Sequence, residues 1–271
     1  MNPLPIQPGT ITKAVILAAG LGTRMRKDEG AVALSAAQQQ AADAGIKGLV
    51  PVGRPFLDYT LSGLADAGYR DICLVIGPEH QAVRAYYQSH EPARITISFA
   101  IQQQPKGTAD AVASAEAFVG TEQFLVLNSD NHYPAPALIA LRHLDNPGLV
   151  AFRVDALLAS GIPYARIARF PVMVWDQSGQ LVEMQTGSIP CATDFVSMNC
   201  WRFSPGIFEA CRSIAPAPSG ELELPDAVRY TMDPLGERFS VLPFALPVLD
   251  LSTRADIAHV TEELRNVEVI L

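Results

Sequence analysis

Leu17-Ala18-Ala19-Gly20-Leu21-Gly22-Thr23-Arg24-Met25 is the stretch on which the reading of this chain turns. The apolar run over 14–17 that leads into it has the length and composition of a short buried strand. It ends in small residues, which let backbone approach a bound group closely. Gly20 and Gly22 permit positive φ and expose N–H groups, so the turn can cradle phosphate oxygens while Arg24 supplies a fixed guanidinium fork. A bare Gly-x-Gly is also an ordinary turn after a strand, so the glycines alone carry little weight.

Outward from this strand the pattern switches between short β-rich runs and longer helical ones. Helices are predicted over 57–67, 81–87 and 109–118, and strands over 72–76, 95–100 and 124–127. Asn128-Ser129-Asp130 falls where the last of these strands ends, the edge at which ligands collect in open α/β sheets. The second half is less regular, with strands expected over 150–153, 165–174 and 194–203 and a helix over 207–212. Such alternation is the mark of an α/β fold built on a largely parallel sheet.

Composition sets the outer bounds. The 271 residues are 49% hydrophobic and 18% charged, enough to bury a sizeable core. No Gly/Ser-rich linker or low-complexity tract divides them, so one domain over 1–271 is expected. Twenty basic against 28 acidic residues give a net charge of -8 with no basic stripe, which argues against a nucleic-acid partner. Any phosphates must be gripped locally. Cys73, Cys191, Cys200 and Cys211 form no CxxC pair and read as reduced packing residues. The first residues lack the charged and then apolar run of a signal peptide, and no stretch is long enough to span a bilayer. A cytoplasmic location without membrane association is the expectation.

The string over 17–25 resembles the signature of the sugar-phosphate nucleotidyltransferases, the family that includes the glucose-1-phosphate thymidylyl- and uridylyltransferases. Four further stretches resemble that family in the same order. Ile46-Lys47-Gly48-Leu49-Val50-Pro51-Val52 is similar to its K-P-L-x-P-V segment, and Gln102-Gln103-Gln104-Pro105-Lys106-Gly107-Thr108-Ala109-Asp110-Ala111 to its Q-x-x-P-x-G-T-A-x-A. Asn128-Ser129-Asp130-Asn131 is similar to G-D-N, and Leu249-Asp250-Leu251-Ser252-Thr253-Arg254-Ala255-Asp256 to D-I-G-T-P-E-D.

The resemblance implies a Rossmann-like α/β fold, a mixed, mostly parallel central sheet flanked by helices. Residues 1–130 would be the nucleotide-binding half and 131–271 the sugar-phosphate half. It implies a nucleoside triphosphate and a sugar 1-phosphate as partners, Mg²⁺ as cofactor, and pyrophosphate as leaving group. Leu17, Ala18, Ala19, Gly20, Gly22 and Thr23, with Gln102, Gly107 and Thr108, would bind the nucleotide. Arg24 and Lys47 would be catalytic, Asp130 and Asp250 would ligate the metal, and Asn131, Glu183 and Asn199 would meet the sugar. Two aspartates on distant strands suit a hard cation. An isolated aspartate is usually a solvated turn residue or a helix cap, and Asp250 or Ser252 could equally cap a helix over 255–264. Gln102 stands in a polar run of the kind that faces solvent.

Three departures from the pattern stand out. Met184 occupies the place of the family's acceptor-gripping lysine in Leu181-Val182-Glu183-Met184-Gln185, leaving Arg166, Arg169 or Lys106 to compensate. Glu223 and Asp226, in a stretch similar to the family's G-E-x-E-I-T-D, could instead cap a helix. The segment between Arg24 and Lys47 is long, with a helix expected over 31–44 that is either a lid over the triphosphate or a surface decoration. Two other functions fit the same fold: a glycosyltransferase using a nucleotide sugar, and a silent binding subunit. The oligomeric state, a homo-oligomer included, is left open.

Overall fold

The computed structural model describes residues 10–27, 32–90 and 92–271. Strand β1 (Lys13–Leu17) lies inside the sheet and is buried on both faces, which is why it is continuously apolar rather than alternating. Ala14 and Ile16 pack into one core and Val15 into the other. The chain then forms α1 (Thr23–Arg26), α2 (Ala36–Ala44), a 3₁₀ turn at Lys47–Leu49, α3 (Phe56–Ala67), β2 (Asp71–Ile76), α4 (Gln81–Ser89) and β3 (Thr96–Ile101). It continues through α5 (Thr108–Ala113), α6 (Glu116–Val119) and β4 (Phe124–Asn128).

Beyond β4 come β5 (Asn131–His132), α7 (Ala135–Arg142), β6 (Gly148–Arg153), α8 (Val154–Ala159), α9 (Tyr164–Ile167), β7 (Val172–Trp175), β8 (Leu181–Gln185) and β9 (Phe195–Phe203). The last elements are α10 (Gly206–Ser213), α11 (Leu224–Met232), β10 (Ser240–Phe244), β11 (Leu249–Asp250) and α12 (Asp256–Leu264).

The main sheet runs β10-β6-β9-β4-β1-β2-β3, with β7 pairing β8 and β9. The β4-β1-β2-β3 run is parallel, while β9 lies antiparallel between β4 and β6. The sheet is therefore mixed, and it draws strands from both halves of the sequence. After β1 the chain builds β2 and β3 on one side and then crosses to place β4 on the other. The carboxyl ends of β1 and β4 are thus a topological switch point, where loops diverge and leave a crevice. One face of the sheet is covered by α3 and α7 through Leu61, Leu64, Leu138 and Leu141, the other by α5, α10 and α11 through Val112, Phe208 and Val228.

Below the crevice, β5 and β11 form a separate antiparallel pair that sets Asp250 opposite Asn131. A third apolar cluster joins Met25, Ala42, Val50 and Phe56 to Leu251, Ile257 and Val260, so α12 packs against the loops that follow β1.

Several expectations from sequence are corrected. The strand over 165–174 is a helical turn, α9, entered through Pro163, followed by Pro171 and the short β7. The helix over 109–118 is broken in two, with the Ser114 hydroxyl donating back to the Asp110 carbonyl at 2.9 Å near the break. The expected helix over 31–44 begins at Ala36, behind a Ser35/Gln38 capping box, and Ala31 lies outside the described residues. Neither Asp250 nor Ser252 caps α12. Asp256 does the local work instead, accepting from the Ser252 and Thr253 backbone N–H groups at 3.0 and 2.6 Å. Cys191 is exposed, unlike the other three cysteines.

Candidate active site

The crevice at the β1/β4 switch point is a cavity of about 410 Å³. It is walled by the loop after β1, the Gly45–Gly48 stretch, the Gln102–Thr108 loop and the end of β4. Of the residues expected to bind nucleotide, Leu17, Ala18, Ala19, Gly20, Thr23, Gln102, Gly107 and Thr108 border it. Lys47, Asp130 and Asn199 do so as well. The motifs, scattered over more than a hundred residues, meet around one opening.

Gly22 shapes the loop rather than lining the cavity. It takes φ 62°, and a Cβ there would lie 2.1 Å from the Gly45 carbonyl oxygen. Only a glycine allows the two turns to touch. Gly20, expected to use positive φ in the same way, does not, and a Cβ there would meet nothing within 4 Å. The Arg26 guanidinium locks the contact by donating to the Ala44 carbonyl at 2.8 Å. The buried Arg254 donates to the Met25 carbonyl at 2.9 Å and pairs with Asp43 at 2.6 Å. The segment between Arg24 and Lys47 is consequently fastened to the loop after β1 and to the chain beyond β11.

Arg24 is exposed on α1 and makes no ion pair or hydrogen bond among the described residues. Lys47 is the opposite case. Its Nζ pairs with Asp130 Oδ2 at 2.8 Å, both side chains being mostly shielded, so the cation and the carboxylate hold each other at the cavity floor. Gln102 is 5% exposed, whereas Gln103 and Gln104 are exposed, so one glutamine of the run faces inward. Its Nε2 donates to the Gly107 carbonyl and to Asp110 Oδ2, both at 2.9 Å, which leaves Oε1 as the group available to a ligand. Thr108 accepts from the Leu224 N–H at 2.9 Å and thereby anchors α11.

Asp250 and Asn131 lie beneath the cavity rather than on its surface. The Asn131 Nδ2 donates to Asp250 Oδ1 at 2.9 Å, and the Ser252 hydroxyl reaches the same oxygen at 3.2 Å. The other oxygen is held by the Arg166 guanidinium, which also pairs with Asp256 at 3.1 Å. Burial, and after it the nearby Asp130 charge, push the Asp250 carboxyl up to about 6 against the pull of Arg166. Glu183 is outside the cavity altogether, exposed on β8 and paired with Gln185. Met184 is 4% exposed in the core and does not line the cavity, so a lysine in its place would be buried among apolar side chains. Arg166 is likewise committed to two carboxylates.

The donor set fits a hard cation that keeps most of its water. Asp130 opens to the cavity, and its Oδ1 has no hydrogen-bond partner among the described residues. No cluster of three or more His, Cys, Asp or Glu able to hold a metal exists among the described residues. Magnesium commonly takes one or two carboxylates and fills the rest of its shell with water and phosphate oxygens. Asp250 is already held by Asn131, Ser252 and Arg166, so a cation there would compete with those three donors.

Val83 from α4 and Leu57 from α3, which no functional reading singled out, also border the cavity, as does Glu221 from the stretch similar to G-E-x-E-I-T-D. Val83 and Leu57 carry the helical spacing of core positions, which hides any second use. Among the described residues no helix is long and apolar enough to cross a membrane.

Comparison with known proteins gives a consistent picture. Residues 13–242 match the family model described as Nucleotidyl transferase. A glucose-1-phosphate thymidylyltransferase of Streptomyces griseus is 30% identical over 223 residues, 82% of this chain and 57% of that protein. A UTP–glucose-1-phosphate uridylyltransferase of Haloferax volcanii is 27% identical over 218 residues, covering 80% of this chain and 82% of the relative. The chain thus spans little more than half of the Streptomyces relative's length. A solved UDP-glucose pyrophosphorylase in complex with UDP-glucose superposes with a TM-score of 0.73 at 18% identity, over 96% of this chain and 100% of that one. That likeness concerns the fold.

Proposed function

Because this chain belongs to the nucleotidyl transferase family, we propose that it transfers a nucleoside monophosphate from a nucleoside triphosphate to a sugar 1-phosphate. The products are a nucleoside diphosphate sugar and pyrophosphate. The observation that carries the reading is the convergence of the loop after β1, Lys47, Gln102 and Asp130 on one cavity at the switch point. A glycosyltransferase needs no cradle for a triphosphate tail, and an opening lined by Gly20, Thr23 and Lys47 suits that tail.

The triphosphate lies along the loop after β1, its oxygens on backbone N–H groups, with Arg24 at the rim and Lys47 at the floor. Gln102 offers its carbonyl oxygen to an N–H of the base. A non-bridging oxygen of the acceptor phosphate attacks the α-phosphorus in line. The new P–O bond forms as the bond to the β-phosphate bridging oxygen breaks, and pyrophosphate leaves with that electron pair. The attacking oxygen is already anionic, so no general base is needed, and the residues act through positioning and charge. Asp130, with Asp250 behind it, would hold Mg²⁺, which would supply positive charge to the phosphates. Lys47, whose Nζ lies 2.8 Å from Asp130 at the cavity floor, is the protein's own cation for the phosphate oxygens.

Sugar contacts are assigned to Asn199 at the cavity wall, with Asn131 acting from beneath. Glu183 could contribute only after a rearrangement of β8. The test is pyrophosphate release with Mg²⁺ across UTP, dTTP, CTP, GTP and ATP against a panel of sugar 1-phosphates. Release that requires both partners supports the reading. Triphosphate binding without release for any pair would favour a silent binding subunit.

A further inference from the structure

A line of three carboxamides runs from the cavity wall to the buried carboxylate. The β4/β9 ladder ends at Val126 opposite Trp201, and two residues farther along side chains replace the backbone bonds. Asn199 Nδ2 donates to Asn128 Oδ1 at 3.4 Å, and Asn128 Nδ2 donates to Asn131 Oδ1 at 3.2 Å. Asn131 Nδ2 then donates to Asp250 Oδ1 at 2.9 Å. Asn199 is the one non-glycine with positive φ among the described residues, at 57°, so its backbone is bent to hold this place.

The direction of the line is not free. A carboxylate clasped by Arg166 and a serine hydroxyl accepts, and so Asn131 must present its amide nitrogen to Asp250. Its oxygen then faces Asn128, which must donate in turn, and the same demand passes to Asn199. At the cavity end the Asn199 carbonyl oxygen is left over, accepting no hydrogen bond among the described residues. Reversing the line would set an amide oxygen against the carboxylate.

We propose that this polarised carboxamide line makes Asn199 Oδ1 a fixed hydrogen-bond acceptor that selects a hydroxyl donor on the acceptor sugar, with Asn128 as the positioning residue. The inference rests on the acceptor reading given above. One neutral hydrogen bond at this position corresponds to about 5- to 10-fold in affinity.

Deoxyfluoro sugars test it, since fluorine cannot donate. Glucose 1-phosphate and its 2-, 3-, 4- and 6-deoxyfluoro derivatives are titrated calorimetrically with Mg²⁺ and the α,β-methylene analogues of UTP and dTTP. In the wild type one position should lose about 5- to 10-fold on fluorination. In Asn128→Leu, where Asn199 can rotate, the same position should lose less than about 2-fold, with an unchanged circular dichroism spectrum and a cooperative thermal transition as the check on folding. A wild type that binds glucose 1-phosphate yet is indifferent to fluorine everywhere, or a penalty that persists in Asn128→Leu, overturns the inference and leaves the nucleotidyl-transfer reading standing. A wild type that binds neither glucose 1-phosphate nor any other member of the sugar 1-phosphate panel overturns both.

Discussion

Lys47 and Asp130 hold each other at 2.8 Å, an arrangement that keeps a cation and a carboxylate ready while neutralising both. Replacing Lys47 by Met should lower kcat by about 10²- to 10³-fold through lost stabilisation of the transferring phosphates, as steady-state pyrophosphate release would show. Arg166 poses a stability question first. Its side chain is 12% exposed and that of Asp250 5%, so Arg166→Met leaves a buried carboxylate without its cation, and denaturant titration should register a loss of roughly 3–5 kcal/mol.

His132 gives a pH signature. Burial lowers it to about 4, and its buried Nδ1 has no hydrogen-bond partner among the described residues. The unfolded chain therefore takes up a proton that the folded one refuses, and stability present above about 6.5 is lost as pH falls towards 4. The loss should reach at most roughly 3 kcal/mol over that window and be absent from a His132→Leu variant measured alongside.

Some of this was open to sequence reasoning and some was not. Gln102, Lys47 and Asp130 could be named because each sits inside a motif whose residue types suit phosphate or base chemistry. The Asn128–Asn199 contact joins residues 71 positions apart through a strand pairing that periodicity does not reveal.

At the level of elements, the loop after β1 works because two turns touch. Gly22→Ala would bring a methyl group to 2.1 Å from the Gly45 carbonyl, at a φ that side chains resist. Triphosphate affinity should fall at least about 10-fold by calorimetry, with a stability cost on the order of 1–3 kcal/mol. Gly20→Ala, with open space around it, serves as the control.

Strand β8 shows why Glu183 lies outside the cavity. Strict alternation would put Leu181, Glu183 and Gln185 on one face, but the β7/β8 register shifts between Val174 and Trp175. Leu181 and Met184 consequently both enter the core, and Glu183 faces solvent. A bulge of this kind leaves no trace in the hydrophobic pattern. Met184→Lys, which would restore the family residue in sequence, should therefore destabilise by about 3 kcal/mol or more rather than restore an acceptor grip, and thermal denaturation separates the two outcomes.

Taken as a whole molecule, the chain brings its motifs together through the crossover that places β4 beside β1, and α12 ties the later half back onto the loop after β1. The alternation of strands and helices exposed that plan in the first half of the sequence. It failed over 165–174, where two prolines set the ends of α9 and β7. In the proposed reaction an oxygen of the acceptor phosphate attacks the α-phosphorus directly. The most direct measurement uses a sugar 1-phosphate labelled with ¹⁸O at its non-bridging oxygens and follows the products by ³¹P NMR. Direct attack puts label in the bridge between the two phosphates of the nucleoside diphosphate sugar and leaves pyrophosphate unlabelled. Label in pyrophosphate, or a free nucleoside monophosphate as the product, would contradict it.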